Sequence, residues 1–246
     1  MRDKATFNGF SRETVSFFRK LKRNNNKAWF DSHRNEYDHY VLGPAKAFVT
    51  AMGDKMKTSI PAIRAEPKIN RSIFRIYRDI RFNPDKTPYK THLGIFFWEG
   101  SQARMECPGF YFQLGPDKLI LGAGIYMFSS RLLSAYRKAV IASDSGAEIM
   151  AIIKNIERMK DFKIGGEHYK RVPPGYDREP PNARLLLHNG LHAGFEARLP
   201  EEIFSNKIIS FCWEKLRPLI PLHKWLVSLM KSNPPGDFKG GPFGEQ

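Results

Sequence analysis

Residues 109–126 constrain the fold most. GFYFQL and KLILGAGIY are apolar runs rich in aromatic and aliphatic residues, separated by Gly115-Pro116-Asp117. Runs of this length around a turn read as an antiparallel hairpin. Gly122 and Gly124 lie inside the second run, where missing side chains predict the close approach of another element. The Gly-Ala-Gly triplet opens no helix and is too short for a dinucleotide fingerprint.

Other strands can be read around this hairpin. LGIFFW at 93–98 is a short apolar strand, and 191–199 is a further candidate with His192 and Glu196 on one face. From Ser72 an alternation sets Phe74, Ile76, Ile80 and Phe82 against Arg75, Tyr77, Asp79 and Arg81. A period of two predicts a strand, broken near Arg78. Asn83-Pro84-Asp85 and Thr87-Pro88 read as turn and loop.

Helical patterns flank the strands. Ser11 is placed to cap a helix with Val15, Phe17, Phe18 and Leu21 on one face, ended by Asn24-Asn25-Asn26. A second helix is expected over 27–41, and a third after Pro44 through Phe48, Val49, Met52 and Met56. Ser129 or Ser130 caps a helix through Tyr136, and Asp144 opens another through Ile149 and Ile153. Pro200 starts a C-terminal helix that Pro218 and Pro221 interrupt. The passage after Lys160 reads as a long loop, because four Pro between 173 and 181 forbid regular structure. Strands in the middle and helices at both ends predict one α+β domain over 1–231. Its central antiparallel sheet covers about residues 71–126, joined by 191–199, with N- and C-terminal helices packed on it. Residues 232–246 read as a disordered tail.

The 70–92 stretch, NRSIFRIYRDIRFNPDKTPYKTH, is the leading candidate site. Arg71, Arg75, Arg78, Arg81, Lys86 and Lys90 face only Asp79 and Asp85 within it. Packed cations must pair internally or meet an anion. One reading is therefore an anion pocket for a phosphorylated or carboxylated small molecule. Arg offers bidentate recognition, Lys a movable charge, and Tyr77 and Tyr89 a stacking surface or a hydroxyl. Asp79, Asp85 and His92 are the candidate acid–base groups. The competing reading is a structural network in which Arg78–Asp79 and Asp85–Lys86 pin the loop. A third reading closes the site with Tyr169, Lys170, Arg171, Tyr176 and Asp177 of the Pro-rich loop, against that loop lying stapled to the surface.

Charge adds an alternative partner. The formal net charge is +15, which favours polyanions and says nothing about fold. Arg19, Lys20, Lys22, Arg23 and Lys27 beside Trp29 and Phe30 suit weak, sequence-tolerant nucleic-acid binding. No helix-turn-helix, RNA-recognition or zinc-finger pattern accompanies them. Two separated cysteines, Cys107 and Cys212, argue against a disulfide scaffold or zinc ribbon. His33 and His39 in the 27–41 helix form no HxxxH pair, and the seven His are scattered without HExxH or a clustered carboxylate motif, so no metal site is expected; no GxSxG frames a nucleophile. Without an apolar signal region or a membrane-length run, a reducing cytoplasm is the expected compartment.

SIFRIYRDIRFNPDKTPYKTHLG followed by PGFYFQLGPDKLILGAGIY resembles the signature of the family called domain of unknown function 2461. NNNKAWFDSHRNEYD and YKRVPPGYDREPPNARLL are similar to that family's other shared segments. The resemblance spans roughly residues 5 to 230. It implies no reaction, cofactor or catalytic residue, so the functional argument rests on chemistry.

Overall fold

A computed structural model describes residues 6–176 and 182–234. Its centre is a five-stranded antiparallel sheet: β1 (Leu93–Trp98), β2 (Gly109–Leu114), β3 (Lys118–Ile125), β4 (Phe162–Glu167) and β5 (His188–Arg198), in the order β1-β2-β3-β5-β4. The predicted hairpin forms, with Gly115 N–H donating to the Lys118 carbonyl at 2.9 Å. The element that crowds Gly122 and Gly124 is β5. A Cβ on them would come within 2.8 Å of the Ala193 carbonyl oxygen and 2.3 Å of the Leu191 carbonyl oxygen, respectively.

Alternation decides which face carries the core. Ile95, Phe97, Phe110, Phe112, Leu119, Leu121, Leu191 and Phe195 point into one continuous apolar cluster. The helices supply the rest of that cluster through Phe17, Phe18, Phe48, Met52, Ile149, Ile153, Leu222 and Leu226. Those helices are α1 (Arg12–Arg23), α2 (Lys27–Ser32), α3 (Arg34–Tyr37), α4 (Gly43–Lys57), α5 (Ser130–Ile141), α6 (Ser143–Glu157), α7 (Lys207–Leu216) and α8 (Ile220–Ser232). Ser11 caps α1 in a reciprocal box with Thr14, and Ser129 caps α5.

Three expectations need correction. The helix expected over 27–41 is broken at His33, and a wide π turn at Asp38–Leu42 then runs into α4 without a gap. The passage after Lys160 is not all loop: Lys163, Gly165 and their neighbours form β4, pairing with β5 before the prolines begin. Residues 71–92 contribute no strand to the sheet. Ile73 bridges Ile95 singly, and Tyr77 bridges Tyr89. Pro84 and Pro88 have no N–H to continue a ladder, and Phe82, expected inside, is 94% exposed. The expected tail beyond residue 234, and Asp177, lie outside the described residues.

One clasp ties the C-terminal helix to β1. Buried His223 of α8 sits 3.2 Å from Glu99, which also takes Lys231 at 3.0 Å. These bonds and charges hold the Glu99 carboxyl at about 2 against the burial that opposes them.

Candidate functional site

Residues 70–92 leave the β1 edge of the sheet as an arm. Phe74 N–H donates to the Gly94 carbonyl at 3.0 Å, and Phe96 N–H donates to the Ser72 carbonyl at 2.8 Å. The arm then folds on itself: Arg78 N–H donates to the Pro88 carbonyl and Lys90 N–H to the Ile76 carbonyl. Two contacts dock it on the N-terminal helices. Tyr89 is buried and stacks on Phe30 with ring centroids 4.3 Å apart. The Asn25 amide donates to the Tyr89 carbonyl at 2.9 Å and accepts the Tyr89 N–H at 3.1 Å. Tyr77, half-exposed, takes a hydrogen bond from Arg34 through its hydroxyl at 3.1 Å.

At the tip of the arm the charges meet each other. Arg78 pairs with Asp85 at 2.6 Å and also donates to Thr87. Arg81 grips Asp79 through both carboxylate oxygens, at 3.0 and 2.8 Å. Lys86 donates to the Ile80 carbonyl. The pairing differs from the sequence neighbours Arg78–Asp79 and Asp85–Lys86. Folding the arm back brings 85 across from 78, and the turn at 79–81 lets Arg81 reach back two residues. Both carboxyls are held at about 2, Asp79 chiefly by Arg81 and Asp85 chiefly by the Thr87 N–H and then Arg78. A base held so far below neutrality accepts a proton poorly.

The base of the arm is different. Arg71 lies 3.6 Å from Glu66, which Arg64 already holds at 3.0 Å. Arg75, Lys90 and Arg104 have no carboxylate ion pair among the described residues. Lys90 donates to the Arg75 carbonyl at 3.0 Å and Arg104 to the Arg71 carbonyl. Both cations lie against the Phe74 ring, at 5.4 and 4.2 Å from its centroid. Burial and then neighbouring cations lower them: Arg75 and Arg104 act on Lys90, Arg71 on Arg104. His92 is pushed down to about 4, first by burial and then by Lys90, and is neutral at pH 7. Sequence reasoning missed Arg104. It lies 33 residues from Arg71, in a connection whose local pattern carries no signal.

Next to Phe74 the outer face of the sheet opens into a cavity of about 470 Å³. Phe96, Tyr111 and His192 wall it. A shallower groove of about 450 Å³ lies on the other side of Lys90, between Lys22 of α1 and Arg78 of the arm.

The remaining sequence candidates scatter. Phe30 is buried under Tyr89, and Trp29 stacks on His33 at 4.0 Å, so neither ring is free to take a base. Arg19 pairs with Asp117 and Lys20 with Glu36, both loosely. The passage before the prolines emerges from β4, four strand positions from β1, about 19 Å across the sheet at ~4.8 Å per step. Tyr169 there lies against Arg137 of α5, and Val172 and Tyr176 pack on the core. The described part of this loop is pinned to the far side of the molecule and does not close over the arm.

Among the described residues no group of three or more His, Cys, Asp or Glu is placed to hold a metal. None of their helices is long and apolar enough to cross a membrane. Cys107 and Cys212 are buried free thiols. Fold and arm together define an α+β protein with one antiparallel sheet, a helical layer and a basic edge arm. The chain belongs to the family of conserved hypothetical proteins designated DUF2461, whose model matches residues 13–225 and so takes in the sheet, the arm and most of the helical layer. No curated protein matches it significantly.

Proposed function

We propose that this protein binds a small phosphorylated or carboxylated anion at the base of the arm, around Phe74. One observation carries the reading: Lys90 and Arg104 meet at the Phe74 ring with only carbonyls and that ring as contact partners among the described residues, and the Arg75 charge is near enough to act on Lys90. Crowded cations without counter-charge repel one another, and an anion between them relieves that repulsion. The arm's tip is excluded from the reading, because Arg78, Arg81 and Lys86 are satisfied internally.

Calorimetric titration with inorganic phosphate and with succinate at low salt tests this. Wild-type protein should bind one of them with a Kd below about 1 mM, weakening as salt rises. Lys90→Met and Arg104→Gln should each weaken binding about tenfold or more while leaving the fold intact, since neither strands a carboxylate. Equal affinity in wild type and both variants, or no binding at all, contradicts the reading.

A second reading, sequence-tolerant contact with nucleic acid, is supported by Lys22, Arg23 and Lys27. They have no ion pair among the described residues, and Lys22 lines the groove beside Lys90. With Trp29 and Phe30 occupied, such contact rests on phosphates alone.

A further inference from the structure

The cavity beside Phe74 has a floor made almost without side chains. Strand register puts Gly109, Gly122, Gly124, Gly194 and Gly165 on the outer face: Gly109 is opposite Gly124, Gly122 opposite Gly194, and Gly165 opposite His192; all but Gly165 line the cavity. Four of the five have a packing reason. A Cβ would fall 2.2 Å from the Phe97 carbonyl oxygen at Gly109, and 2.2 Å from the His192 ring at Gly165. Gly122 and Gly124 are crowded by the β5 backbone. Gly194 has none: the nearest atom to its Cβ would be the Leu121 carbonyl oxygen at 3.7 Å, an ordinary contact, and its φ is not positive. Glycine inside a strand weakens it. What the missing side chain does at 194 is keep a bare peptide surface at the bottom of a cavity.

That cavity is more than a bare floor. Phe74, Phe96, Tyr111, Tyr126 and His192 stand around it, and Gln113 adds a polar group to the lining. Tyr111 donates its hydroxyl to the Gln113 side-chain oxygen at 2.8 Å, which leaves the Gln113 amide hydrogens for a guest. Tyr126 is 71% exposed and stacks on His192, whose ring nitrogens have no protein partner among the described residues. Apolar walls with a few convergent polar groups are the usual make-up of a small-molecule site. A flat floor and aromatic walls favour a flat ring, which stacks face-on or meets the walls edge-on. Lys90 and Arg104 lie just outside the lining at the Phe74 end, against the ring of Phe74 itself. From β1 to β5 is three strand steps, about 14 Å, so one guest can touch both ends only if its ring and its charge are separated by a linker.

We propose that this cavity takes a nucleotide-like ligand: a planar heteroaromatic ring on the Gly122–Gly194 floor, joined by a short linker to a phosphate at Lys90 and Arg104. The proposal rests on the anion reading of the Phe74 cluster and adds the ring to it. Gln113 and His192 meet the heteroatoms of the ring edge.

AMP, UMP and FMN, each paired with its dephosphorylated counterpart, are titrated calorimetrically against the full chain, with inorganic phosphate as reference. At least one nucleotide should bind tenfold or more tightly than both phosphate and its own nucleoside or riboflavin. Gly194→Val puts a strand-favouring side chain on the floor where the backbone has room for it. It should abolish the nucleotide's advantage and leave phosphate affinity unchanged. Should that variant fold poorly, Tyr126→Ala, at an exposed wall position, should still cost the nucleotide several-fold and phosphate nothing. Phosphate binding with no nucleotide advantage overturns this proposal and leaves the anion reading standing. Ring binding that Gly194→Val removes, without any phosphate contribution, keeps the ring bed and overturns the anion seat. Nucleotide affinity unchanged in both variants places the ring elsewhere and overturns the proposal.

Discussion

Asn25→Ala should undock the arm. In the folded chain the Asn25 amide acts as one residue of a missing strand, giving a hydrogen bond to the Tyr89 carbonyl and taking one from its N–H. Each such bond contributes about 1 kcal/mol net, and a half-sheltered backbone group left unpaired adds to the loss. The stack of Tyr89 on Phe30, worth about 0.5–1.5 kcal/mol, loosens with them. A total of about 2–3 kcal/mol follows. For a chain of this size that lowers Tm by about 4–12 °C. Thermal unfolding followed by circular dichroism reads the total, and hydrogen exchange at the Tyr89 and Lys90 amides reads its location. Asn25→Asp keeps the acceptor for the Tyr89 N–H but sets a carboxylate against the Tyr89 carbonyl, so it should rescue little. A Tm within 1 °C of wild type with the Tyr89 amide still protected would refute the reasoning.

That contact also shows where the sequence ran out. Asn25 reads as a helix breaker within Asn24-Asn25-Asn26, and so it is, but its partner lies 64 residues away. No local pattern encodes such a meeting. The hairpin at 109–125 was legible because turn residues and apolar runs are local. So were the caps of α1 and α5. The strand expected over 72–82 does not form, because its alternation meets a core only as far as Ile76. Beyond it the apolar residues do not alternate into a core: Phe82 stands in solvent. β4 was hidden by its composition, since Gly165 and Gly166 argue against a strand until His192 and Gly190 are seen to need their space. At the candidate site the number of cations was legible, and their partners were not. Which of them are matched depends on Asp79, Asp85 and carbonyls brought round by the arm's fold, and on Arg104 from another connection.

Two further outcomes follow from the same contacts. His92 is held below its ordinary value, so the folded chain resists the proton that the unfolded chain accepts below about pH 6.5. Stability is therefore full above that pH and declines as pH falls toward about 4, by about 3 kcal/mol from this residue. His92→Gln should flatten the fall in Tm between pH 7 and 4.5; an unchanged pH profile would contradict the assignment. For nucleic acid, anisotropy with labelled single-stranded and duplex oligomers at low salt should give similar weak affinities that fall steeply as salt rises. Lys22→Ala with Lys27→Ala should reduce the salt slope, and no binding at micromolar protein would end that reading.

The most direct test of the central claim is where an anion sits. Crystals grown with selenate in place of sulfate should give an anomalous peak at the base of the arm, with oxygens about 2.7–3.2 Å from Lys90 Nζ and the Arg104 guanidinium. A peak only at the tip, on Arg78 or Arg81, or Lys90 and Arg104 turned away into solvent with no density between them, would contradict it.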